Sequence, residues 1–150
     1  MLHQVSSIPY MPVNAEQHNT QLDAVSTRPA TVTSHTVLVV DMSGSMKKKD
    51  LGDYAGNRAQ AVYENIALLL VKEQIMQKAT LNARMLDVVS LIEMRDEAQI
   101  VFEGMPLDSN LFNRLMLRRN TSLPSSHGNY IPSLEAAEHL LNKFSHGGCA

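Results

Sequence analysis

His35-Thr-Val-Leu-Val-Val-Asp41-Met-Ser43-Gly-Ser45-Met46 is the stretch whose reading decides the fold. The β-branched apolar run Val37 to Val40 has the length and composition of a buried parallel strand. Open α/β sheets gather ligand sites at the carboxyl ends of such strands. Asp41, Ser43 and Ser45 fall there on one tight loop, and Gly44 lets the backbone fold back between them. One carboxylate and two hydroxyls make an all-oxygen cluster, the donor type that hard cations such as Mg²⁺ or Mn²⁺ prefer.

Outward from this loop the chain alternates strand and helix. Asn57 to Gln77 is expected as a helix, with Val62, Ile66, Leu69, Leu70 and Glu73 at three- and four-residue steps. Its centre, Ile66-Ala-Leu-Leu-Leu-Val71, is apolar on nearly every side, which predicts deep packing. Met85 to Met94 is dense in β-formers and reads as an interior strand, and Ala98 to Glu103 as a second one. The turn Arg95-Asp96-Glu97 is too short for a crossover, so these two strands must be antiparallel. Asp108 then caps a short helix, Asn110 to Leu117, and a last helix runs from Leu134 to Phe144.

Two motifs carry a family resemblance. Asp41-x-Ser43-x-Ser45 after a strand resembles the metal-ion-dependent adhesion site of von Willebrand factor A (vWA) domains. The stretch Ser125-Ser-His-Gly-Asn-Tyr-Ile-Pro-Ser-Leu134 is similar to the vWA loop Gly-Gly-Thr-Asp-Tyr-x-Pro-Ala-Leu, with Asn129, Tyr130, Pro132 and Leu134 in matching positions. The element order, including one antiparallel edge strand, matches as well. The resemblance implies an α/β, doubly wound, mostly parallel sheet of vWA or Rossmann-like type. It also implies a divalent-cation site on Asp41, Ser43 and Ser45, with Mg²⁺ or Mn²⁺ held weakly. Gly128 stands where the family has a metal-binding threonine, so a further hydroxyl would have to come from Ser125 or Ser126 after a shift of the loop. His127 reads as a surface loop residue, since imidazole suits zinc or copper better than magnesium.

The family continues after the last helix with a buried strand ending in Asp-Gly, whose aspartate completes the outer shell of the metal. Here the sequence ends Ser145-His-Gly-Gly-Cys-Ala150. The expectation is therefore a partial vWA domain over residues 35–150, truncated after its third helix. The Val37–Val40 strand would become an exposed apolar edge prone to self-association.

Residues 1–34 contain Pro9, Pro12 and Pro29, many Ser, Thr, Gln and Asn, and few apolar clusters. That composition predicts a disordered amino-terminal arm. A short linear motif around Ile8-Pro9-Tyr10-Met11-Pro12 is its functional alternative.

Composition narrows the function classes. The chain has 150 residues, 44% apolar and 19% charged, with a formal net charge of −2. That describes one soluble domain with no electrostatic footprint for nucleic acid or an anionic membrane. The only basic run, Lys47-Lys48-Lys49, is followed by Asp50 and Asp53 and reads as a solvated loop. A lone cysteine, Cys149, leaves no internal disulfide and fits a reducing compartment. Neither a signal peptide nor a membrane-spanning stretch is visible, so the expected location is intracellular and cytoplasmic, and the sequon Asn120-Thr-Ser122 is expected to stay silent.

An enzyme is not expected. A phosphohydrolase would carry a second aspartate at Ser43, the serines lack the glycine spacing of a nucleophile elbow, and no phosphate-binding loop occurs. Two readings remain: a vWA-type interaction module whose cation takes an acidic group of a partner protein, or a structural remnant that binds neither metal nor ligand.

Overall fold

The computed structural model describes residues 10–81 and 85–145. Cys149, Ile8 and Pro9, on which some of the expectations above fall, lie outside them. The fold is a small α/β unit built on a mixed three-stranded sheet of order β1-β2-β3. β1 (Val32–Asp41) runs parallel to β2 (Leu86–Met94), with Val37 level with Ser90 and Asp41 level with Met94. β3 (Ala98–Pro106) returns antiparallel to β2 across the tight Arg95–Glu97 turn, as its length requires.

Helices cover both faces of the sheet, and the alternation along β2 shows it. Val89, Leu91 and Glu93 point to one face and Val88, Ser90 and Ile92 to the other. Glu93 bonds Tyr63 and Arg118, which places α2 (Arg58–Asn65) and α4 (Ser109–Thr121) on the first face. Ser90 bonds His35, whose ring meets Phe144 edge-on at 4.5 Å, so α5 (Tyr130–Ser145) lies on the second. The larger core fills the first face, with Val40, Met42, Tyr63, Val71, Leu91, Phe102, Leu111, Phe112 and Leu115 buried together. A smaller cluster of Ala24, Val32, Leu86, Val88 and Phe144 fills the second. There Gly104, at φ +60°, lets the Phe144 ring approach so closely that an added Cβ would stand 2.7 Å from its Cζ.

α2 and α3 (Glu73–Leu81) are the two halves of one helix, joined by a π-helical segment Ile66–Lys72. The buried residues Ala59, Tyr63, Ala67 and Val71 are four apart. Four residues overshoot an α turn of 3.6, so a four-residue stripe would wander around a pure α-helix. The wider π turn absorbs the difference and keeps the stripe on the core. The expected deep packing on nearly every side is not what this helix does, because Leu69 and Met76 stand exposed on its outer face.

The disordered arm expected over residues 1–34 is corrected in its described part. Ala15–Thr27 form a helix, α1, capped by the Asn14 side chain, which accepts from the Gln17 N–H. β1 already begins at Val32, so this segment belongs to the domain. The anchors are mostly polar and distant in sequence. Buried His18 gives its Nδ1 to Asp108 at 2.5 Å, and its Nε2 accepts from the Asn110 amide at 2.8 Å. The Met11 backbone exchanges two 2.8 Å hydrogen bonds with the Asn113 side chain. Such anchors leave no trace in local hydropathy, which is why composition alone predicts disorder here.

Candidate functional site

β1 delivers Asp41 to the carboxyl edge of the sheet, and the chain then turns through a short 3₁₀ segment, Gly44–Lys47. The half-buried Asp41 carboxylate accepts through Oδ1 from the Ser43 N–H at 2.8 Å, which leaves Oδ2 as its second oxygen. The Ser43 and Ser45 hydroxyls lie 3.2 Å apart. The three residues singled out in the sequence are therefore gathered on one turn, around a buried Met42.

The second loop closes onto this turn. The Gly44 N–H donates to the Ser126 carbonyl at 2.9 Å, and the Ser125 N–H donates to the Met42 carbonyl at 2.9 Å. Gly128 is in the left-handed region at φ +73°, and a Cβ added there would stand 3.1 Å from the Ser43 Cβ and 3.5 Å from Asp41 Oδ1. The position that a threonine takes in the resembling family thus does face Asp41, but a glycine occupies it and its backbone lies tight against Ser43. Of the two serines expected to replace that hydroxyl, Ser125 is engaged by the Arg95 guanidinium at 3.1 Å. The Ser126 Oγ is buried without a hydrogen-bond partner among the described residues, on a backbone strained to φ +96°. The exposed His127 contributes its N–H to Asp96 at 3.2 Å. Lys47, Lys48 and Lys49 are exposed.

Arg95 is the residue that sequence reasoning missed. It stands in the turn read only as polar, and it holds the second loop: Nη1 donates to the Leu123 carbonyl at 3.0 Å and to Ser125, while its own carbonyl accepts from the Asn129 N–H at 2.7 Å. Its Nη2 bonds Glu93 at 2.9 Å. Glu93 is fully buried and also receives a two-pronged grip from Arg118, at 2.6 and 2.7 Å, and the Tyr63 hydroxyl at 2.6 Å. Burial pushes the Glu93 carboxyl up, but the hydrogen bonds from Arg118, Tyr63 and Arg95 together outweigh it and hold it below the usual range. Burial and the facing Glu93 push the Tyr63 hydroxyl up in turn. The one signal in the sequence was a glutamate inside an otherwise apolar interior strand.

Among the described residues no three His, Cys, Asp or Glu side chains converge, so a cation at this loop would rest on hydroxyl donors beside one carboxylate. Asp41, Ser43 and Ser45 fit a hard cation in kind, but three side-chain oxygens leave much of an octahedral shell to water.

No protein-family model matches the chain, and no curated protein matches it. Among solved structures, the fold is similar to that of an uncharacterized membrane spanning protein from Vibrio fischeri, with a TM-score of 0.54 and 21% identity. The match covers 75% of this chain and 50% of that one, so the chain spans about half the length of that structure. At that identity the likeness speaks for the fold alone. Among the described residues of the present chain, no helix is long and apolar enough to cross a membrane.

Proposed function

We propose that the chain is a vWA-type protein-interaction module. Asp41, Ser43 and Ser45 hold Mg²⁺ or Mn²⁺ weakly, Ser126 is the reserve hydroxyl, and an acidic side chain of a partner protein completes the site. The observation that carries this reading is the closure of the 125–128 loop on the Asp41 turn, by hydrogen bonds from Gly44 to Ser126 and from Ser125 to Met42. Two loops distant in sequence meet where an open α/β sheet offers its ligand position. When bound, the cation supplies a Lewis-acidic position for a carboxylate oxygen.

The protein's own part is orientation. The Ser43 N–H fixes one carboxylate oxygen of Asp41, the paired hydroxyls present two neutral donors, and Arg95 holds the facing loop in place. The role is binding rather than catalysis. The same reading extends the three-stranded sheet to the doubly wound, mostly parallel sheet of the vWA family.

A second reading, a structural remnant without metal, draws on Gly128, which offers no side chain where a ligand is needed. Calorimetric titration with Mg²⁺ separates the two. Weak, saturable binding that disappears in Asp41→Ala supports the module. Binding untouched by the substitution, or no binding at all, overturns it.

A further inference from the structure

The turn that carries Asp41, Ser43 and Ser45 runs directly into Lys47, Lys48 and Lys49, and its geometry fixes where that basic run stands. Gly44–Lys47 is a 3₁₀ segment, in which residues three apart lie one above the other. Lys47 therefore stacks on Gly44. Lys48, whose N–H donates to the Ser45 carbonyl at 3.3 Å, stacks on Ser45. The Lys48 carbonyl in turn accepts from the Arg58 N–H, at the start of α2, at 3.0 Å. These two bonds pin the backbone of the run beside the turn, while all three lysines stand exposed.

The run also keeps its charge. Asp50, the acid that follows it, is gripped by Arg58 through two hydrogen bonds of 2.9 and 2.6 Å. The Arg58 hydrogen bonds are the largest influence holding the Asp50 carboxyl below its ordinary range, and the pull of Lys48 is the smallest. Asp53 is exposed further along the loop, and among the described residues none of the three lysines makes a salt bridge. A divalent cation on Asp41 adds to this positive excess, since one carboxylate cancels only half its charge.

We propose that the partner segment meeting the Asp41 turn is an acidic run, with one carboxylate on the cation and its neighbours along Lys47, Lys48 and Lys49. The inference rests on the cation reading of the turn and adds what the partner carries beside its ligating residue. Exposed ion pairs contribute little each, so the lysines act through the rate of encounter and through selection among acidic segments. The charge pattern favours a protein partner over nucleic acid. A chain of formal net charge −2 lacks the wider basic field that a phosphate backbone needs.

Fluorescence anisotropy on the full chain in Mg²⁺ tests this with two labelled heptapeptides, each with a central aspartate. One has glutamate at every other position and the other has serine. The glutamate peptide should bind at least about tenfold more tightly, and added salt should erode the preference. The triple variant Lys47→Gln, Lys48→Gln, Lys49→Gln should abolish it. The same variant should bind Mn²⁺ at least as well as the wild type, because three like charges have left the turn, whereas a damaged fold would weaken both. If Mn²⁺ binds the turn but the peptides bind alike, or the triple variant keeps the preference, this inference falls and the cation reading stands. If Mn²⁺ does not bind the turn, both fall. A labelled single-stranded DNA of equal charge binding as tightly as the glutamate peptide also overturns the inference.

Discussion

The buried carboxylate of Glu93 makes a sharp test of how this fold is held together. Its oxygens are enclosed by Arg118, Arg95 and Tyr63, and none of its side chain reaches solvent. Removing one partner of a buried ion pair costs about 3–5 kcal/mol, because the other charge is left without compensation. Arg118→Met takes away two of the hydrogen bonds but leaves Arg95 and Tyr63, so a loss of about 3 kcal/mol is expected. Glu93→Gln is milder. It keeps the shape and strands two guanidinium groups that are 25% and 20% exposed, which water can reach, so about 1–2 kcal/mol is expected.

Urea denaturation measures both, and Arg118→Met should lower the midpoint by on the order of 1 M. The pH dependence should also weaken in Arg118→Met. In the wild type the Glu93 carboxyl is held below its ordinary value, so its contribution is present above that value and is lost as pH falls through the folded one. Without Arg118 less opposes burial, so the variant should lose less of this contribution than the wild type as the pH falls through the carboxylate range. The reasoning is refuted if Glu93→Gln proves as costly as Arg118→Met, or if the variant keeps the wild-type pH slope.

Three further outcomes follow from the same structure. His35 is held below the ordinary histidine value of 6.5 by burial, against a smaller upward pull from Glu103; its unfolded form therefore binds more protons, and stability should be full above 6.5 and fall with pH below it, a slope that His35→Gln removes. Gly128→Ala should destabilise by about 1–2 kcal/mol in thermal unfolding, because it forces a Cβ into the left-handed region beside Ser43; a neutral result would mean that the loop is not closed as described. His18→Ala should release α1 from Asp108 and Asn110, read as faster proteolysis within Ala15–Thr27 while the sheet stays protected.

What was legible in the sequence was whatever local chemistry writes into adjacent residues. The Val37–Val40 run announced β1, the three-residue turn forced the β2–β3 hairpin, and Asp108 marked the start of α4, where its carboxylate accepts from the Leu111 N–H at 3.1 Å. Asp41, Ser43 and Ser45 were found together because they share one turn. Three features escaped, each because its cause lies elsewhere in the chain. α1 is held by bonds spanning about ninety residues, which a composition of prolines and amides does not disclose. The π segment answers the four-residue spacing of Ala59, Tyr63, Ala67 and Val71, a pattern visible only when it is sought as such. Arg95 looks like any turn arginine until the fold brings Glu93 and the 123–129 loop to it.

The central claim is a cation at the Asp41 turn, and paramagnetic broadening by Mn²⁺ in amide spectra tests it most directly, because it reports position as well as binding. The account predicts that substoichiometric Mn²⁺ broadens the amides of 41–46 and 125–128 first, and that Asp41→Ala abolishes the effect. Broadening centred on other carboxylates, such as Asp50 and Asp53, or none at either loop, would contradict it.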